Sequence, residues 1–155
     1  MQWSKVHFGK HKGKTLPQII FSDPDWFFWA IDEDAFDNKG RLSQEARDLF
    51  HKATHIKIPN NSDGNLAIEY ILHQPTGKFS HFDVVPSSRP AHKGGSTTFR
   101  LAYIDMSVPR QIEDYDKQGY KNFIASFKYY LFGGESVRLT KKRCEEFFND
   151  SENFD

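Results

Sequence analysis

Apolar positions repeat with a helical period near both ends of the chain and with a strand period in the middle. Residues 16–21 read as one or two helical turns with Pro17 near the start. Asp23-Pro24-Asp25 is a helix-start signal, because Asp23 can cap, Pro24 suits the first helical position and Asp25 favours the positive helix end. That helix runs through the aromatic block 26–29 to about Asp34, with Asn38-Lys39-Gly40 as its exit. Ser43 opens a second helix over 44–53, with an apolar stripe of Ala46, Leu49, Phe50 and Ala53. The period then changes. Residues 55–58 alternate like a strand, and 66–73 and 78–85 are β-rich runs joined by the turn Gln74-Pro75-Thr76-Gly77. Residues 97–105 predict a further strand, broken at Val108-Pro109. A long helix follows from Asp116 or Lys117 to Phe132, ended by Gly133-Gly134, and Thr140 caps a last helix over 141–148. The acidic tail 149–155 is expected to fray. The pattern predicts one α+β domain over 1–155, with a mostly antiparallel sheet of about four strands and helices packed against it.

Composition narrows the function classes. At 155 residues the chain can bury a core without staples, and 21 basic residues balance 21 acidic ones. Zero net charge argues against a cation-coated DNA-packaging protein, yet leaves room for a local basic patch. Phe dominates the aromatic content with fifteen copies. The lone Cys144 cannot form an internal disulfide, which fits a reducing setting. No apolar run approaches the roughly 20 residues of a membrane helix. These features lead us to expect a cytoplasmic protein without membrane contact.

The segment 6–16 departs from core patterning, placing Lys10, Lys12 and Lys14 alternately with His11 and Gly13. Gly13 suits the left-handed position of a three-residue turn, His11-Lys12-Gly13, so the segment predicts a hairpin tipped with ammonium groups, a shape suited to phosphate. The motif Phe8-Gly9-Lys10-His11-Lys12-Gly13-Lys14-Thr15-Leu16, followed by Asp23-Pro24-Asp25-Trp26-Phe27-Phe28-Trp29, resembles the small domain at the C-terminus of exodeoxyribonuclease X-like proteins. The resemblance covers residues 5–36, within a hairpin–helix subregion 1–52, and leaves 53–155 without an assigned role. It implies a nucleic-acid-associated accessory module, attached to nucleases or standing alone in phage or mobile-element settings. It does not imply the exonuclease reaction, because nothing here corresponds to that family's catalytic domain.

Other segments offer weaker chemistry. Arg89, His92 and Lys93 stand in a glycine-containing loop, 87–96, that could supply a second phosphate contact. The loop is not a Walker A motif, since its glycine–lysine order is wrong and a strand follows it. Trp26 and Trp29 share a helix face and are either core or base-stacking platforms, and Trp3 is the better stacking candidate by position. Lys117, Lys121 and Lys128 follow one side of the long helix and could extend a basic track. A metal-dependent nuclease would draw on Glu69, His81, Asp83 and Asp105, all on or near strands, although none of the familiar metal-ligand spacings occurs.

The sequence therefore leads us to expect a non-catalytic nucleic-acid-binding protein, with neither cofactor nor metal, that contacts phosphate backbone, single strands or ends through Lys5, Lys10, His11, Lys12 and Lys14, with Arg89, His92 and Lys93 as a second contact. DNA ranks before RNA as its ligand. Alternatives are the metal-dependent nuclease and a protein-binding inhibitor or adaptor whose partner could be a nuclease.

Overall fold

A computed structural model describes residues 2–91 and 96–155. Six α-helices and three strands follow one another as α1 (Leu16–Ser22), α2 (Pro24–Asp32), α3 (Arg41–Ala53), β1 (Leu66–His73), β2 (Phe79–Pro86), β3 (Ser96–Leu101), α4 (Val108–Ile112), α5 (Lys117–Leu131) and α6 (Lys141–Asn149). The strands form one antiparallel sheet in the order β2-β1-β3. Both pairings put Tyr70 between Phe82 and Phe99, so one sheet face is aromatic along its middle.

That face carries α5. Phe82 and Phe79 meet Phe123 at ring-centroid distances of 5.0 and 5.8 Å. Aromatic contacts continue without a break from Phe123 to Phe127, from Phe127 to Phe21 on α1, and from Phe21 to Phe148 on α6. Large apolar rings dominate such a core because each removes much area from water and prefers tilted or edge-on contact. The helix α5 also reaches the outer edge of the sheet, where the Phe82 N–H of β2 donates to Ser126 Oγ at 3.4 Å.

Three expectations need correction. The sheet has three strands, not about four: residue 56 of the expected strand 55–58 makes only isolated bridges, to Ile104 and Phe154. The second of those bridges reflects an acidic tail that is docked rather than frayed. Phe154 is buried and stacks on Phe148 at 5.6 Å, and a 3-10 turn at Ser151–Asn153 is capped by Asp150. Trp3 is also buried, its indole N–H donating to Asn149 Oδ1 at 2.9 Å, so it offers no stacking surface. In both cases an anchor ring near a chain end enters the core while hydrogen bonds hold the polar residues beside it, such as Lys57 N–H to Asn153 O and Ser4 N–H to Glu45 Oε1, and composition displays none of these partners.

Helix starts agree more closely with local chemistry. Asp116 caps α5 through the Gly119 N–H, and Thr140 caps α6 through the Arg143 N–H. Helix α3 begins at Arg41, two residues before the expected Ser43, whose hydroxyl instead accepts from the Lys39 N–H. Replacing Phe154 by Ala should lower unfolding free energy by about 3 kcal/mol in a urea titration. An unchanged midpoint would mean that the tail is not part of the folded core.

Candidate nucleic-acid interface

The N-terminal hairpin is closed by two backbone bonds, Val6 N–H to Lys14 O and Gly13 N–H to Val6 O, each 2.8 Å. Its loop is therefore longer than the three-residue turn expected from Gly13. Gly9 and Gly13 both have positive φ, +74° and +92°, which folds the loop back on itself. Gly9 has a second reason to be glycine: a Cβ there would stand 3.3 Å from the Trp26 ring.

This fold-back separates the lysines that simple alternation would place together. Lys10 reaches Asp23 Oδ2 at 3.1 Å. The His11 ring is turned inward, with Nε2 2.9 Å from the same oxygen and the ring edge-on to Trp26 at 5.1 Å. Asp23 meanwhile caps α2 by accepting from the Trp26 N–H. Burial pushes the Asp23 carboxyl up, but the hydrogen bonds from His11 and Lys10 outweigh it, and the net effect holds its pKa below the usual carboxylate value. Phe8 completes the corner by packing between Trp26 and Phe36, with the Lys39 ammonium over its face. Much of the glycine–lysine motif and of the Asp-Pro-Asp-Trp motif is thus one structural joint. Lys5, Lys12 and Lys14 remain exposed and form no ion pair with a described residue.

Lys14 lines a groove of about 720 Å³ between the hairpin–α2 corner and α5. Its other wall is one stripe of α5, Lys117, Lys121, Ile124, Ala125 and Lys128, at spacings that fall on a single helix face. Phe21, Pro24 and Tyr120 also line it. None of the four lysines has an ion-pair partner among the described residues, whereas two of the three groove carboxylates are neutralised. Asp23 holds Lys10, and Asp25 holds Arg110 at 2.8 Å, leaving Glu135. Arg110 in turn contacts Asp32 at 3.2 Å, and its guanidinium is held above its ordinary pKa because these hydrogen bonds outweigh burial. The sequence places the α5 lysines on one side of their helix, but nothing in it shows that they face Lys14.

The remaining candidates do not gather at this groove. Arg89 is exposed on the turn after β2 and is not a groove-lining residue, and His92 and Lys93 lie outside the described residues. Glu69, His81 and Asp83 share a sheet face by register. Glu69 is buried in an ion pair with Arg100 at 2.6 Å, His81 and Asp83 lie 3.6 Å apart, and Asp83 accepts from the Tyr130 hydroxyl at 3.2 Å. Asp105 belongs elsewhere: its N–H donates to the Tyr70 hydroxyl, on the opposite sheet face from Glu69, and its carboxylate accepts from Ser107. Among the described residues no three His, Cys, Asp or Glu side chains converge as a metal site. Cys144 is buried, which, with Glu145 nearby, pushes its thiol up to about 12, far from a reactive thiolate.

Comparison with protein-family models, with curated proteins and with solved structures matches none of them to this chain.

Asp23→Ala removes the α2 cap and both hairpin contacts together, and should cost about 1–2 kcal/mol in urea unfolding. Because the folded pKa of Asp23 is depressed, its contribution is fully present above the unfolded carboxylate value near 3.8 and is lost as pH falls through the lower folded value. Wild type and variant should therefore converge in stability in acid; an equal gap at all pH values would remove Asp23 as the joint.

Proposed function

We propose that this protein is a non-catalytic nucleic-acid-binding accessory protein that holds a phosphate backbone in the groove between its hairpin corner and α5. The observation that carries the reading is the set of four lysines without ion-pair partners among the described residues, Lys14, Lys117, Lys121 and Lys128, drawn from distant parts of the sequence to line one groove. Along α5 the lysines rise about 6 Å and then about 10 Å apart, spacings suited to several phosphates of one strand. Exposed Lys5 and Lys12 extend the same charge over the hairpin, whereas His11 and Lys10 serve the joint instead of the ligand. The resemblance to the exodeoxyribonuclease X-like C-terminal domain supports DNA before RNA and an accessory role in phage or mobile-element settings. No base-edge reader lines the groove in an evident pattern, so backbone, single strands or ends are the expected target.

The alternative nuclease reading has less support from the geometry, since Glu69 is committed to Arg100 and Asp105 lies apart from His81 and Asp83. Fluorescence anisotropy with single- and double-stranded DNA and RNA across a salt series tests the proposal. Each lost phosphate contact should reduce the log–log salt slope by about 0.7–0.9. The triple variant Lys14→Ala/Lys121→Ala/Lys128→Ala should therefore flatten the slope by about 2 units and weaken binding at low salt. A wild-type slope in that variant would remove the groove from the binding site, and cleaved substrate in magnesium would restore the nuclease.

A further inference from the structure

A second feature lies outside the groove. His51, His55 and Tyr103 form a ladder of near-parallel rings, with centroids 4.5 and 5.4 Å apart and interplanar angles of 22° and 18°. His55 is the middle rung, because its ring contacts both of the others while His51 and Tyr103 make no ring contact with each other. The outer rungs therefore each keep one face without a ring partner among the described residues. His51 is exposed, and its ring nitrogens make no hydrogen bond to a described residue.

The ladder is held from beneath. His55 Nδ1–H donates to the His51 carbonyl at 2.8 Å, with Thr54 Oγ1 at 2.9 Å from the same nitrogen. The Thr54 hydroxyl donates in turn to the Phe50 carbonyl, tying the middle ring to the end of α3. Tyr103 is fixed through its backbone, whose carbonyl accepts from the buried Tyr70 hydroxyl at 3.2 Å, and the next residue, Ile104, bridges to Ile56. The His55 ring is thus held by hydrogen bonds before any ligand arrives, and His51 rests against it at 4.5 Å, which lowers the ordering cost of stacking on the outer face of His51. One turn back along α3, four residues from His51, Arg47 is exposed and has no ion-pair partner among the described residues. The neighbouring carboxylate, Asp48, is already occupied by Lys52 at 3.1 Å.

A free ring face beside an unpaired guanidinium matches a planar heteroaromatic ligand that carries a phosphate. We propose that the outer face of His51 is a stacking platform for one unpaired nucleobase, with Arg47 taking the adjoining phosphate. For its ligand class this rests on the nucleic-acid reading above, but it uses different residues and is separable by experiment. Every base has a π-face, so the platform should favour single strands without selecting sequence.

The probe is a short single-stranded oligodeoxyadenylate, titrated into the whole protein and followed by the imidazole proton resonances of His51 and His55. The His51 signal should move upfield as a base stacks over it. His51→Ala should weaken single-strand binding about fivefold or more, at the low end of one stacked base. His51→Phe should restore most of that loss, because it keeps the ring face and removes the nitrogens. Arg47→Ala should lower the salt slope by about 0.7. An unmoved His51 resonance at saturation, or a His51→Ala affinity equal to wild type, overturns the platform. If the groove lysines still set the salt slope in that event, the groove reading stands alone; if oligodeoxyadenylate does not bind at all, the platform falls, and the groove reading is decided by the duplex and RNA arms of the salt series.

Discussion

The carboxylate of Asp23 is the joint on which the N-terminal third depends. Its backbone N–H closes the end of α1 on the Ile19 carbonyl, while its side chain caps α2 and receives both Lys10 and His11 from the hairpin loop. Without such a joint a glycine-rich, lysine-rich loop would repel itself and wander, since exposed ammonium groups gain little from one another. With it, Lys10 and His11 are committed to architecture, Phe8 and Gly9 settle against Trp26, and the exit of the hairpin carries Lys14 to the rim of the groove. The position of the basic groove therefore follows from a structural ion cluster beside it.

The opposite wall has a different origin. Helix α5 is amphipathic in two senses: Phe123 and Phe127 face the aromatic core, while Lys117, Lys121 and Lys128 face the groove. Burial of the phenylalanine stripe fixes the helix rotation, and rotation fixes where the lysines stand. The same packing brings Ser126 to the β2 edge, where it accepts from the Phe82 N–H, so the helix that supplies half of the groove also occupies one donor of that edge. Core packing and binding surface are two faces of one element.

Much of this was legible in the residues. The α+β class, the β1–β2 hairpin, the Asp23, Asp116 and Thr140 caps and the limits of α5 all rest on local chemistry that a sequence displays directly. The docked tail and buried Trp3 were not legible, because polar neighbours conceal a single anchor ring that finds its partner far along the chain. Alternation correctly marked the hairpin as basic but misjudged its loop, since two positive-φ glycines, not one, turn the backbone. The groove required tertiary structure: Lys14 and Lys128 are far apart in sequence, and nothing local brings them together. The His51–His55–Tyr103 ladder was invisible for the same reason, because Tyr103 is brought to it by the Tyr70 bond to its carbonyl and by the pairing of Ile104 with Ile56.

Lysine footprinting would locate the bound strand on the surface without altering any side chain beforehand. The protein is acetylated briefly with and without saturating single-stranded DNA, and the modified residues are read by mass spectrometry. Loss of reactivity at Lys14, Lys117, Lys121 and Lys128, with no change at Lys57 and Lys142, which line a separate cleft beside α6, is the expected pattern for a strand lying in the groove. Uniform reactivity, or protection centred on Lys57 and Lys142, would place the ligand elsewhere or nowhere and contradict the groove as the seat of function.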